Sequence, residues 1–369
     1  MNIEQEIKQL MPMPSEIKPR DLRPYVMSAA TLLTADIPEK ELLISSFMPT
    51  ASFGMVYAPR GLGKTWFSMG LATAVVEGKD TFLGWQIHKR GGALYIDGEM
   101  SLSDVRDRFR GLLKHKNLGQ LQILPSEKLY QDGKPICLDN PTEQASILEL
   151  LGKLKNDGLA PDLIILDNLS TLRRNINEND NSETQSLLDF LIGLRHRGYA
   201  VLLVHHTNKA GEQRGASILE VPMDYIIKLS KPQNSQIVFG ENPSFQVEFT
   251  KVRGKNPNKF PFVTTMEKDA DGTWEFNVDL DKSEVPDYII VLRAITETNI
   301  GLTQRNLSTK LGFAIGKTNK LIKHLRAESL LVGDRYTASP RGLCELHDWF
   351  PQIFPKPEEY QTYQSEIPF

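Results

Sequence analysis

Cysteine is nearly absent. The 369 residues hold two, Cys137 and Cys344, far apart and in no metal-ligand spacing. That excludes a disulfide scaffold and a cysteine-based zinc module, and it fits a reducing compartment. Long apolar runs are missing as well. Stretches such as LIIL (163–166) and AVLLV (200–204) fall far short of the roughly 20 residues a bilayer span needs. No charge of one sign dominates: 43 Lys and Arg stand against 46 Asp and Glu, a net of -3. The molecule is therefore no polycation that coats nucleic acid, and any such contact must be local. The opening MNIEQEIKQLMP is polar and acidic, unlike a secretory signal. The expectation is a soluble cytoplasmic protein without a membrane partner. Its hydrophobic content of 40% is enough for a real core, and its length suggests about two domains.

Hydrophobic patterning divides the chain. Pro12, Pro14, Pro19 and Pro24 discourage a long helix, so residues 1–35 read as an extended arm with one short helix. From about residue 50, apolar strands alternate with amphipathic stretches. FGMVYA, GALYIDGE, LIILDNL and YAVLLVHH are the strand candidates, and the alternation predicts a parallel sheet with crossover helices. SQIVFG, FQVEFTKVRG, PFVTTMEKD and GTWEFNVD then read as β, with DADGTW as a hairpin turn. The predicted divisions are an arm (1–35), an α/β core (36–284), a small helical domain (285–347) and a polar tail (348–369).

One stretch carries chemistry most plainly. Residues 58–65, APRGLGKT, match the phosphate-loop pattern G-x-x-x-x-G-K-[ST] except that Ala58 stands at the first glycine. FGMVYA supplies the preceding strand and WFSMGLATAVVEG the following helix. Such a loop curls main-chain N–H groups around an anion at a helix N-terminus, and Gly61 and Gly63 still permit the tightest curl. Arg60, Gly61, Leu62, Gly63, Lys64 and Thr65 are thus the predicted nucleotide-binding residues. Lys64 would reach the β- and γ-phosphates of ATP, and Thr65 would hold Mg²⁺. The second Mg²⁺ carboxylate belongs at the end of an apolar strand, where PDLIILDNL places Asp167. A base for water is expected from Glu99 in ALYIDGEM, with Asp97 as its competitor. His205 and His206 close the fourth strand, and His206 is the candidate sensor of the γ-phosphate.

The order loop, strand–acid, strand–Asp, strand–His-His resembles the RecA-type P-loop ATPase core. APRGLGKT, ILDNLSTLRRNINEN, LLVHHTNKAG and QRGASIL, within residues 30–255, resemble the plasmid RepA-type hexameric replicative helicases. The resemblance implies a six-membered ring with ATP at each subunit interface. Lys64, Thr65, Glu99 and Asp167 would act in cis, and an arginine finger would come from the neighbour. Arg214 in QRGAS matches the RepA pattern, while Lys251 and Arg253 in TKVRGK resemble the finger of DnaB-like helicases. The resemblance also implies that residues 173–185 and 207–216 face single-stranded DNA in the ring. A recombination ATPase of the RadA type and an ATP-gated DNA-binding regulator are the competing functions. No zinc-binding cysteine motif supports the first, and a pure switch has little use for a base at Glu99.

The end of the chain has its own signals. Thr303 is a predicted N-cap for a helix through Leu311, which Gly312 ends. A second helix follows with Leu321, Ile322 and Leu325 on its apolar face. The pattern resembles winged-helix domains, with GDRYTASPRG as the wing. Nine basic residues against five acidic ones in 286–347 give a local +4, a footprint suited to duplex DNA. The terminal Ile367-Pro368-Phe369 resembles the tail tip of bacterial single-stranded-DNA-binding proteins, which implies a replication-protein partner.

Overall fold

The structure, a computed structural model, describes residues 20–37, 39–114, 118–173, 181–206, 219–232, 242–254, 257, 261–279, 285–297, 303–333, 336–350 and 354. The chain forms two compact units, residues 1–39 and 40–369. In the first, helix α1 (Ala29–Thr34) is capped by Ser28, whose hydroxyl accepts from the Thr31 N–H.

The second unit is built on a large sheet. Two small ribbons, β1 (Leu42–Ile44) with β2 (Met48–Pro49) and β4 (Thr81–Phe82) with β5 (Trp85–Gln86), stand apart from it. Its parallel strands are β3 (Phe53–Ala58), β6 (Ala93–Asp97), β7 (Leu121–Pro125), β8 (Leu163–Asp167), β9 (Ala200–His206) and β10 (Tyr225–Ser230). An antiparallel meander continues the sheet through β11 (Ser244–Val252), β12 (Phe262–Lys268) and β13 (Trp274–Asp279). The order across the sheet is β13-β12-β11-β10-β3-β9-β8-β6-β7. This is an α/β fold with a large, mostly parallel central sheet, consistent with the RecA-like P-loop NTPase core that the sequence led us to expect.

The sequence explains the layers. Every residue of β6 and β8 is buried, so the strands are apolar on both sides and need helices on both faces. One face carries α2 (Lys64–Glu77) and α3 (Leu102–Leu112). The other face packs α5 (Pro141–Asn156) and α7 (Asn181–His196), through Leu151, Leu187 and Leu191. Between them in sequence lie α4 (Ser126–Gln131) and the single turn α6 (Leu169–Leu172). Helix α2 is apolar nearly all round, as an embedded helix must be. It is enclosed because the meander closes over it: a Cβ at Gly70 would stand 2.4 Å from the Phe276 ring.

The four strands expected around the phosphate loop form β3, β6, β8 and β9. The three later β stretches form the meander, and Asp269 Oδ1 accepts from the N–H groups of Asp271 and Thr273 in the hairpin turn. SQIVFG lies outside the described residues. Two strands were not legible. LQILP (β7) is a sheet edge ending at Pro125, where a missing N–H costs nothing. YIIKLS (β10) joins the parallel and antiparallel halves of the sheet.

Beyond residue 285, α8 (Asp287–Glu297), α9 (Gln304–Leu311) and α10 (Ile315–Ala327) pack with a hairpin, β14 (Leu331–Val332) and β15 (Thr337–Ala338). Helix α11 (Pro340–Trp349) completes the group around Leu292, Leu307, Ile322, Leu325 and Leu346. Thr303 Oγ1 accepts from the Asn306 N–H, and Gly312 ends α9 with φ +68°. The segment read as the end of a wing starts a helix instead. Ser339 caps it by accepting from the Gly342 N–H, and Pro340 occupies its first turn.

Candidate nucleotide site

The phosphate loop leaves the carboxyl end of β3, in the middle of the sheet. Gly61 (φ +75°) and Gly63 (φ +97°) occupy the left-handed region, and Gly63 is the N-cap of α2. Gly63 has a second reason to lack a side chain: its Cβ would lie 2.7 Å from the Phe245 ring of β11. The first N–H groups of α2 have no intrahelical partner and open onto a cavity of about 420 Å³.

Ala58 is the last residue of β3, in register with His206, and is fully buried. Its methyl packs into the core, so the missing glycine does not disturb the curl. Ala58→Gly is expected to change ATP hydrolysis by less than about tenfold, or about 1.4 kcal/mol of barrier. Steady-state hydrolysis by the two proteins is the check.

Lys64 opens α2. Its ammonium donates to the Ala58 and Pro59 carbonyls, each at 2.9 Å. Burial lowers its pKa to about 8, against the opposing pull of Asp167 and Glu99. A phosphate beside the ammonium favours the protonated form. Above pH 8, nucleotide binding must therefore take up a proton, and affinity should weaken by at most tenfold per pH unit. Below pH 8 the group is already charged, and this contribution should be flat. Nucleotide affinity measured from pH 6.5 to 9.5 tests the sign.

Asp167 ends β8 and is 4% exposed. Its Oδ2 accepts from Tyr95 Oη at 2.5 Å and from Ser68 Oγ at 3.3 Å, and Ser68 and Tyr95 lie 2.9 Å apart. Burial raises its pKa; hydrogen bonds from Tyr95, Thr65 and Ser68 and the charge of Lys64 oppose that rise. A buried carboxylate beside a threonine hydroxyl suits a divalent cation. Among the described residues no three His, Cys, Asp or Glu side chains form a protein-only cage. Mg²⁺ takes one or two protein oxygens and completes its shell with phosphate and water.

Asp97 and Glu99 leave the end of β6 in different ways. Asp97 is 1% exposed, accepts from the Met100 N–H at 3.2 Å, and has its pKa raised to about 6 by burial. Its hydrogen bonds hold the turn. The Glu99 side chain is 61% exposed, accepts from Asn168 Nδ2 at 2.6 Å, and faces His206 Nε2 at 3.9 Å. His206 is half-buried, and burial, followed by the charge of Lys64, lowers its pKa. His205 points into the buried side of β9.

The cavity is lined by Arg60 through Trp66 and by Asp97, Glu99, Asp167, Asn168 and His206, among others. The residues expected to act in cis therefore meet at the carboxyl ends of adjacent parallel strands, the usual ligand edge of such sheets. Arg253 does not join them. Val252 pairs with Tyr225, which pairs with Gly54 at the start of β3. The loop begins four residues later, about 13 Å along the strand. At that far edge Lys251 Nζ donates to the Glu220 carbonyl at 2.6 Å, and Arg253 Nη2 to the Val221 carbonyl at 2.7 Å. Arg214, most of residues 173–185 and all of 207–216, and the tail tip Ile367-Pro368-Phe369 lie outside the described residues.

Tyr95, Ser68 and Asn168 were missed from sequence. Tyr95 sits two residues before Asp97 on one strand, hence on the same face, and Ser68 lies one turn beyond Lys64 and Thr65. A hydroxyl in an apolar strand and a polar position on an embedded helix were the available signals.

A strand–loop–helix cradle with an invading lysine and a strand-end aspartate is the core of an ATPase, and residues 16–212 match the family described as AAA domain, AAA_25. The chain belongs to that AAA_25 family. Membership makes it a P-loop ATPase-family protein with a nucleotide site. No curated protein matches the chain. Among solved structures, the flagellar accessory protein FlaH from Methanocaldococcus jannaschii aligns with 16% identity and a TM-score of 0.41. That alignment covers 63% of this chain and 92% of FlaH. Among the described residues no helix is long and apolar enough to cross a membrane.

Proposed function

We propose that this AAA_25 protein is an ATP-hydrolysing DNA helicase of the RepA/DnaB-like class, working as a hexameric ring in DNA replication. The observation that carries the reading is the split between two edges of one sheet. Lys64, Thr65, Glu99, Asp167 and His206 share a cleft at one edge. Lys251 and Arg253 stand at the opposite edge, out of reach of that cleft but able to serve a neighbour's.

In this reading Lys64 binds the β- and γ-phosphates, and the loop N–H groups hold their oxygens. Thr65 and Asp167 hold Mg²⁺, which when bound neutralises charge on the phosphates. Tyr95 and Ser68 fix the Asp167 carboxylate. Glu99 accepts the proton of the attacking water as the bond from the γ-phosphorus to the ADP oxygen breaks. His206, neutral because of burial, reads the γ-phosphate from the end of β9. An arginine of the neighbour, Arg253 or Arg214, stabilises the transferring phosphoryl group and can supply 10³–10⁵ in rate.

The helical group from residue 285 is read as a winged-helix domain that contacts duplex DNA. Lys317, Lys320, Lys323 and Arg326 are all exposed on α10, which supports that reading. Single-stranded DNA would pass through the ring, and the tail tip would take a replication protein.

Subunit mixing tests the shared site. Lys64→Ala removes a cis group, and Lys251→Ala/Arg253→Ala removes the groups assigned to the neighbour. Each should be inactive alone, and a mixture should regain part of the ATP hydrolysis. A mixture as inactive as its components would remove Lys251 and Arg253 as fingers and leave Arg214.

A further inference from the structure

Asn168 follows Asp167 and has no part in the mechanism above, yet both ends of its side-chain amide are committed. The residue is 3% exposed. Its Oδ1 accepts from the Thr171 N–H at 3.3 Å, capping α6, and its Nδ2 donates to Glu99 Oε2 at 2.6 Å. Because the oxygen faces a main-chain donor, the amide nitrogen is the end that meets Glu99. The assignment follows from the bonding pattern, since the reverse orientation would set an oxygen against a carboxylate.

The backbone is shaped for this contact. Gly98 N–H donates to the Asp167 carbonyl at 2.7 Å, which draws the loop carrying Glu99 onto the start of α6. A Cβ at Gly98 would stand 2.5 Å from Thr171 Oγ1 and 2.9 Å from Leu172 Cγ. The glycine in DGE is therefore a requirement of close approach between this loop and the helix that Asn168 caps. The same Glu99 oxygen, Oε2, is the one nearest His206 Nε2, at 3.9 Å, beyond hydrogen-bond reach. Asn168 thus makes the close side-chain hydrogen bond to Glu99, at 2.6 Å.

We propose that Asn168 is the positioning residue for Glu99, pinning one carboxylate oxygen and leaving the other for the water that attacks ATP. The inference rests on Glu99 being the base. A 2.6 Å bond from a buried, doubly held amide restricts a side chain that is otherwise mostly exposed. Release of that restraint costs orientation, and misplacement of a reacting group by an ångström can cost about a hundredfold in rate.

The decisive variant is Asn168→Ser. Serine is an equally good N-cap but is too short to reach Glu99, so it separates the cap from the positioning role. The expected result is a fall in kcat of tenfold to a hundredfold, with KM and ATP affinity within about twofold of the parent. In a Glu99→Gln background, Asn168→Ser should add less than about twofold, because the group it positions no longer acts as a base. Asn168→Asp, nearly isosteric and also a good cap, should lose at least as much kcat, since it sets a carboxylate against Glu99. It also answers the question if the serine variant folds poorly.

Two results would overturn the proposal: kcat within twofold of the parent in both variants, or equal losses with and without Glu99→Gln. Full activity in Glu99→Gln alone would instead sink the assignment of Glu99, and the inference with it.

Discussion

Lys64→Ala should abolish ATP hydrolysis, lowering kcat/KM by at least about 10³-fold, or about 4 kcal/mol. The ammonium is buried at the first residue of α2, donating to two loop carbonyls at 2.9 Å. It thus sits inside the cradle before any phosphate arrives. Among the described residues, Lys64 is the one lysine that lines the cleft, and alanine removes it. Charge that builds on the transferring phosphoryl group would then lose its buried ammonium, and pre-set electrostatic contacts are usually the largest contribution in such sites. The fold should survive, because α2 is held by apolar contacts on nearly all sides. Hydrolysis kinetics together with thermal unfolding check both halves. An unchanged rate would mean that the cavity is not where ATP reacts.

Glu99→Gln should leave nucleotide binding near its parent level and reduce kcat by about 10²- to 10⁴-fold, the usual worth of a general base. The split between binding and turnover is the informative part. Glu99 lies on the cavity wall, and its side chain is mostly exposed, so it adds little to ground-state affinity. Asp97, two residues earlier, is tied to the Met100 N–H, and its removal should act on the turn. If Asp97→Asn lost turnover and Glu99→Gln did not, the two assignments would have to be exchanged.

Much of this site was legible because its chemistry is local. The loop, its strand and its helix are contiguous, and Gly61 and Gly63 permit the left-handed backbone that the curl needs. Asp167, Glu99 and His206 were legible by a second rule, that a polar residue at the end of an apolar strand of a parallel sheet reaches the ligand edge. Tyr95, Ser68 and Asn168 were not, because their roles exist only when β6, α2 and β8 are brought together. Asn168 reads from sequence as an ordinary residue after a strand; its cap and its contact with Glu99 need the crossing of two loops. Gly98 shows the same limit, since only the nearness of Thr171 and Leu172 explains it. Ala58 is the converse case. Against the motif it looks like a defect, but in the fold it is an ordinary buried strand residue.

The arginines divide along similar lines. A sequence match sets Arg214 and Arg253 side by side as fingers. Strand register adds what the match lacks, a position for Arg253 at the edge away from its own loop. That position keeps Arg253 away from its own cleft, and service in trans is the role proposed for it.

The most direct test of the whole account is ATP-dependent unwinding of a forked DNA duplex by the full chain, with Glu99→Gln as the control. Strand separation by the parent and none by the variant is the predicted result. ATP hydrolysis that single-stranded DNA stimulates, with no strand separation under any condition, would contradict the helicase reading and leave a DNA-dependent ATPase of another kind.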